Sequence, residues 1–322
     1  MVSLQDLDQE LSVSLSCAWS RGMVRTRNSQ WHKFLCFFQD NGLCPLPASD
    51  VDVCRFLVYL ARTCVYSTID NYLSAIIALQ RYHGFEGSYR NSYLVKLLLS
   101  GLKNQLGTAK KPKLPLSIDQ LLNIYSNVNI RDVNDVTCWS ALIFCFRTLL
   151  RKCHVVPDGT KVDHIIRRKD IQVSASGIIV KVHSSKTIKH KERVLSVPVN
   201  FVSKKCMCAA SLVLSHFLRR PGSGDDFIFY LHKPQGWVPL YYKDMLDFLK
   251  RQVSLLGLDP KAYGIHSLRR AAATYYHSIG LNLTDIMLMG DWRSLAVFEY
   301  LMLPDSRKMS IETYVCHTFD NL

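Results

Sequence analysis

Apolar residues recur at helical spacing through nearly all of positions 1–105, and turn signals divide them into segments. "NSQWHKFLCFFQDNG" has an Asn/Ser start and an Asn-Gly stop. "LPASDVDVCRFLVYLART" offers Ser49 or Asp50 as a cap, and "YSTIDNYLSAIIALQRYHG" offers Ser67 or Thr68, with Gly84 ending it. "NSYLVKLLLSGLKNQLG" completes a predicted bundle of four amphipathic helices over residues 1–106. Residues 107–116, "GTAKKPKLPL", break the periodicity with Gly, two prolines and a run of lysines, the composition of an extended basic linker.

From residue 117 the helical period returns in "SIDQLLNIYSNV" and "DVTCWSALIFCFRTLLRKCHVV". It then gives way to alternation. "KDIQVSASGIIVKVHSSKTIKHKERVLSVPV" alternates apolar and polar positions around turn residues, which predicts a short antiparallel sheet. Helical patterns resume in "CAASLVLSHFLRR", "YYKDMLDFLKRQVSLLG", "YGIHSLRRAAATYYHSIG" and "NLTDIMLMGDW". The expected fold is mainly α with a small antiparallel β-sheet: a helical bundle (1–106), a linker (107–116) and an α+β domain (117–322).

Charge narrows what such a fold binds. The chain of 322 residues carries 40 Lys+Arg against 26 Asp+Glu, a net charge of +14. Both halves share it, +5 over residues 1–116 and +9 over 117–322. A single basic tail is excluded, and a polyanion contacted by both domains, nucleic acid above all, is the partner to expect. The eleven cysteines sit mostly in apolar runs such as "KFLCFF" and "LIFCF". Without paired CxxC units they predict neither zinc nor a disulfide framework, and they suit a reducing compartment. No signal peptide or membrane-length apolar run is apparent, so a soluble protein without a membrane partner is expected.

"YGIHSLRRAAATYYHSIG" poses a problem of its own. Ser267 or a neighbour can cap a helix there and Gly280 can end it, yet cations open the helix where its dipole disfavours them. A bound anion resolves the conflict: the helix N-terminus with His266 and Arg269, one turn apart, makes a phosphate cradle. His-x-x-Arg alone selects nothing, because it also occurs at His164/Arg167, His190/Arg193 and His216/Arg219. Context separates the copies. Arg151 ends a long apolar helix, a hairpin turn presents Lys186 in "HSSKTIK", and "GDWRSLAVFEYLM" supplies Trp292 and Tyr300. Two arginines can clamp the non-bridging oxygens of a phosphodiester and stabilise its pentacoordinate transition state. A tyrosine hydroxyl can attack phosphorus and a lysine can protonate the departing oxygen, with no metal or other cofactor required.

The order Arg…Lys…His-x-x-Arg…Trp…Tyr resembles the tyrosine recombinase (phage integrase) family. "TLLRKCHVV", "SSKT", "GIHSLRRAAATYYHSIGLNLTDIMLMGDW" and "FEYL" resemble the matching blocks of its Cre-type members, and "STIDNYLSAIIAL" their helical DNA-binding domain. The "GDWRS…Y" ending looks most like the recombinases of eukaryotic mobile elements. The resemblance implies a helical core-binding domain (1–106) and a catalytic domain (117–322) clamped on double-stranded DNA. It implies dimers that synapse as a tetramer, and no small-molecule substrate. Arg151 and Arg269 would hold the scissile phosphate, with His266 assisting proton transfer. Lys186 would be the general acid, Trp292 would pack and hydrogen-bond beside the phosphate, and Tyr300 would form the 3′-phosphotyrosyl link. Nuclear residence follows from the eukaryotic-element likeness, cytoplasmic residence otherwise; "AKKPK" is a weak import signal.

Two departures from the family pattern stand out. His154 occupies a position where many members carry an acid. Tyr300 follows Trp292 by eight residues rather than nine, a turn of about 100° on a continuous helix, so "RSLAVF" is expected to be partly non-helical. Tyr314 is the competing nucleophile, and Lys189 and Lys191 compete with Lys186. A DNA-binding protein that has lost cleavage, and an enzyme related to type IB topoisomerases, are the alternative functions.

Overall fold

A computed structural model describes residues 3–108, 113–159, 162, 164–185, 188, 192–294, 297–298, 300–301, 312–313 and 316. The chain divides into two compact units, Met1–Lys111 and Pro112–Leu322.

Among the described residues the first unit holds five helices: α1 (Leu4–Ser16), α2 (Arg21–Asp40), α3 (Asp50–Ala61), α4 (Tyr66–Tyr82) and α5 (Tyr93–Leu106). Its core is aromatic and aliphatic, with Phe34, Phe38, Phe56, Leu60, Leu73 and Ile76 wholly buried. Ser49 caps α3 by accepting the Asp52 N–H at 3.1 Å, as the sequence suggests. Three expectations are corrected. α1 adds a fifth helix that buries none of its residues. α2 begins at Arg21, capped by Ser20, rather than near Asn28. Val65, not Ser67 or Thr68, precedes α4 and makes no side-chain cap.

The second unit is built around α7 (Val133–Thr148), which is buried on every side from Thr137 to Phe146. A helix apolar all round belongs at a core's centre. Packed against it are α9 (Ala209–Arg219), α10 (Tyr242–Leu255) and α11 (Ile265–Ser278). α6 (Ile118–Ser126) opens the unit with a reciprocal capping box between Ser117 and Gln120. A short α8 (Lys152–Val155) follows α7, and α12 (Leu283–Gly290) follows α11.

The predicted sheet forms from β1 (Ile171–Ser174), β2 (Gly177–Val182) and β3 (Leu195–Asn200), antiparallel in the order β1-β2-β3. Ile178 pairs with Val199 and Val180 with Val197, and all four are buried on the face toward the core. A second hairpin, β4 (Tyr230–Lys233) with β5 (Gly236–Pro239), is not apparent in the sequence, where "FIFYL" is apolar without alternation. Among the described residues no helix is long and apolar enough to cross a membrane.

Gly177 opens β2 at φ 154°, where an added Cβ would lie 2.2 Å from the Val199 carbonyl oxygen. That oxygen belongs to the paired strand and cannot move aside without breaking the ladder. Gly177→Ala is therefore expected to cost about 1–3 kcal/mol of stability. Urea denaturation measures it, and an unchanged midpoint would contradict the close approach.

Candidate active site

Gly264 caps α11, and its N–H donates to the Ser267 hydroxyl at 3.1 Å. Ser267 thus stands at the third helical position rather than at the cap. His266 falls in the first turn and Arg269 one turn on. Arg269 is buried at 3 % exposure, and its guanidinium is spent on backbone carbonyls rather than on a carboxylate. Nη1 donates to the Leu149 carbonyl, and Nη2 donates to the Gly290 carbonyl at 2.6 Å. The Trp292 ring stacks on it, 3.9 Å from the guanidinium carbon to the ring centroid. Its Nε–H is buried and has no acceptor among the described residues.

Both carbonyls reach it through particular backbone. α7 ends at Thr148, and Leu149 takes left-handed φ 54°, turning its carbonyl toward α11. A left-handed leucine costs about 1–2 kcal/mol. Arg151 lies beyond this break as the residue before α8, a correction to its expected place at the end of the long helix. Its guanidinium has no hydrogen-bond or ion-pair partner among the described residues, and its charge adds to burial in lowering the proton affinity of His154, His266 and Arg269. On the other side, Gly290 ends α12 against Trp292, where an added Cβ would lie 1.7 Å from the indole. Asp291 follows in left-handed conformation, φ 52°.

Tyr300 joins this group. Its hydroxyl is 2.9 Å from His266 Nε2, and its ring lies 5.2 Å edge-on from Trp292. Arg269 and Arg270 approach the same ring, their guanidinium carbons 5.8 and 6.0 Å from its centroid. The eight-residue spacing is accommodated as expected. Residues 292–294 are non-helical, Val297 and Phe298 form a 3₁₀ turn, and the Tyr300 N–H donates to Val297 at 2.8 Å. The Thr274 hydroxyl of α11 donates to the Tyr300 carbonyl at 3.3 Å. Burial first, then Arg269 and Arg151, lowers the pKa of His266 and favours its neutral ring. A neutral ring with its proton on Nδ1 can accept from the phenol through Nε2.

Of the six predicted site residues, Arg151, His266, Arg269, Trp292 and Tyr300 converge. Lys186 lies outside the described residues, as do Lys189, Lys191 and Tyr314. His154 is 2 % exposed, and neither ring nitrogen has a hydrogen-bond partner among the described residues. Burial, then Arg151, Arg269 and His164, pulls its pKa down to about 4. The reading from sequence gave no role to Leu149, Gly290 or Asp291. "GDW" carried the signal for the last two, whereas nothing in a leucine announces a left-handed turn.

No family model matches the chain. An integrase/recombinase XerD homolog of Selenomonas ruminantium is 24 % identical over 255 residues, covering 76 % of this chain and 70 % of that protein. The Tn1549 transposon integrase, solved with circular intermediate DNA, matches 94 % of this chain and 97 % of its own at TM-score 0.61 and 15 % identity. A lambda integrase dimer bound to a COC′ core site matches 93 % and 95 % at TM-score 0.60, also at 15 % identity. The chain has the fold of these integrases: mainly helical, with small antiparallel sheets.

The depressed His154 sets an acid limit. Its folded pKa, about 4, lies below the ordinary 6.5, so unfolded chains bind the extra proton between those values. Stability is then full above pH 6.5 and falls by up to about 3 kcal/mol as pH drops toward 4. His216, also buried and also lowered to about 4, adds to the loss. Denaturation at pH 7, 5.5 and 4.5 should show this slope, and His154→Asn should make it shallower; an equal slope would refute the buried neutral ring.

Proposed function

We propose that this protein is a site-specific DNA recombinase or integrase that breaks and rejoins strands through Tyr300. One observation carries the proposal: a phenol 2.9 Å from His266 Nε2, against a buried arginine held by two main-chain carbonyls. Tyr300 Oη would attack the scissile phosphorus and release its proton to His266. Arg269 and Arg151 would donate to the non-bridging oxygens as charge builds on them. The 5′ oxygen would leave with a proton from Lys186, giving a 3′-phosphotyrosyl bond and a free 5′ hydroxyl. Reversal by an incoming 5′ hydroxyl reseals the strand without nucleotide hydrolysis, because the phosphodiester is exchanged and not lost.

The chemistry uses residues of the second unit, and residues 117–322 are the catalytic domain in this proposal. Residues 1–106 would hold the duplex, which accounts for positive charge in both halves. The lambda integrase likeness supports a protein that works as a dimer or higher oligomer on duplex DNA. An origin in a eukaryotic mobile element, and with it nuclear residence, rests on the "GDWRS…Y" ending.

The test uses the duplex that this protein selects from a random library, nicked beside the cleavage position so that the product is trapped. Wild type should form a covalent protein–DNA product, and Tyr300→Phe none. Arg151→Ala and Arg269→Ala should slow its formation by at least about 10²–10³-fold. DNA affinity should change little in all three and fall steeply with added salt. Covalent product that persists in Tyr300→Phe would reassign the nucleophile. No product in any protein would leave a DNA-binding function alone.

A further inference from the structure

Arg193 belongs to one of the His-x-x-Arg pairs that the proposed chemistry does not use. Its Nη2 is paired with the Asp291 carboxylate, 98 residues away in sequence. Both side chains are withdrawn from solvent, 32 % and 11 % exposed. Beside them Arg293 pairs with Glu192 at 3.3 Å, across 101 residues. On each segment an acid precedes an arginine, and the pairing is crossed, 193 with 291 and 192 with 293: Glu192–Arg193 leads toward β3, and Asp291–Arg293 leaves α12. Two neighbouring ion pairs therefore tie the approach to β3 to the turn that carries Gly290 and Trp292.

That turn is the one under Arg269. The Asp291 N–H donates to Leu288 at 3.4 Å and the Trp292 N–H to Met287 at 2.9 Å, which closes the end of α12. Only this closure presents the Gly290 carbonyl and the indole to the guanidinium. Asp291 holds a left-handed conformation that an aspartate tolerates but does not seek. The Asp291 carboxylate is also felt at Arg269 and His154, where it opposes the surrounding positive charge. An exposed pair such as Glu192–Arg293 contributes little by itself. The partly desolvated Arg193–Asp291 pair is the stronger tie, and its neighbour sets the register.

We propose that Arg193 and Asp291, braced by Glu192 and Arg293, form an ionic clasp that positions Gly290 and Trp292 beneath Arg269. Arg193 is thus a positioning residue for strand cleavage; this catalytic half of the inference rests on the recombinase function proposed above. It acts on the transition state through Arg269 and has no part in holding DNA. Loss of the clasp lets the α12 turn relax, and displacement by an ångström is enough to cost about a hundredfold in rate.

Two readouts on the full-length protein test this. Hydrogen exchange of the peptide spanning 288–293 should accelerate at least about tenfold in Arg193→Ala, as the Asp291 and Trp292 amides open. On the nicked, library-selected duplex, covalent product at saturating DNA should form about 10–100-fold more slowly, with the DNA Kd within twofold of wild type. Glu192→Arg should slow product formation several-fold, and Glu192→Arg with Arg293→Glu should restore it, because the pair is re-formed in reverse. Unchanged exchange in Arg193→Ala overturns the clasp even if cleavage falls. Faster exchange with an undiminished rate overturns the positioning role. Wild-type protein that gives no covalent product sinks the recombinase reading and this catalytic role with it, while exchange still decides whether the clasp exists.

Discussion

A buried guanidinium held by main-chain carbonyls, with no carboxylate hydrogen-bonded to it among the described residues, is the constraint around which this site is arranged. Removing an isolated charge from water costs several kcal/mol, and a paired acid is the usual remedy. Arg269 is served instead by two main-chain carbonyls and an indole face. Dipoles and a ring quadrupole solvate the charge without cancelling it, so the group remains a cation, as the proposed contact with phosphate requires. An acid in the same place would have made the site stable and electrically silent.

The backbone irregularities around it follow from that solution. Leu149 stands in left-handed conformation at about 1–2 kcal/mol because helical geometry would direct its carbonyl along α7 and away from Arg269. An unsatisfied buried charge would cost more, so the strain is the lesser cost. Gly290 is glycine because the indole occupies the space of any side chain. The same positive field reaches the histidines. His154 and His266 are both lowered by burial and then by arginines, so neither adds a charge to the pocket. A neutral histidine at position 154 would leave the arginines to act on the proposed phosphate, with opposing negative charge supplied by Asp291.

How much of this could be read from the chain depends on whether the information sits in side chains or in backbone. Helices α3–α6 and α9–α12 and the sheet β1–β3 carry a period that their burial enforces, and α7 shows itself as a long apolar run, so pattern and structure agree. α1 buries nothing, and its last residues, "LSVSLS", alternate as a strand would, so no core requirement marks it as a helix. β4 and β5 are hidden for a different reason: "YLHK" and "GWVP" are four residues each, too short to show an alternation, and the apolar "FIF" runs straight into the first. The site follows the same division. Arg151, His266, Arg269, Trp292 and Tyr300 are legible because their chemistry is in the side chain and their order is informative. Leu149 contributes only a carbonyl and a dihedral angle, which a leucine does not advertise. The decoy pair His190/Arg193 shows the limit of motif counting, since its arginine matters through a partner that the motif does not include.

The proposed anion-binding group and the proposed nucleophile are carried differently. Arg269 projects from a packed helix, with its carbonyl partners at the ends of two other helices, so its position is set by the core itself. Tyr300 lies beyond α12 and is held by hydrogen bonds that include Val297, Thr274, His266 and Arg269, with its ring against Trp292. The His266 and Arg269 contacts involve the phenol hydroxyl, and under the proposed chemistry they are exchanged when that oxygen bonds to phosphorus. A nucleophile that is joined to a strand and later released from it cannot be locked into a core as rigidly as the cation that would stabilise both steps. In that reading the fold fixes the charge within α11 and carries the phenol outside the packed helices.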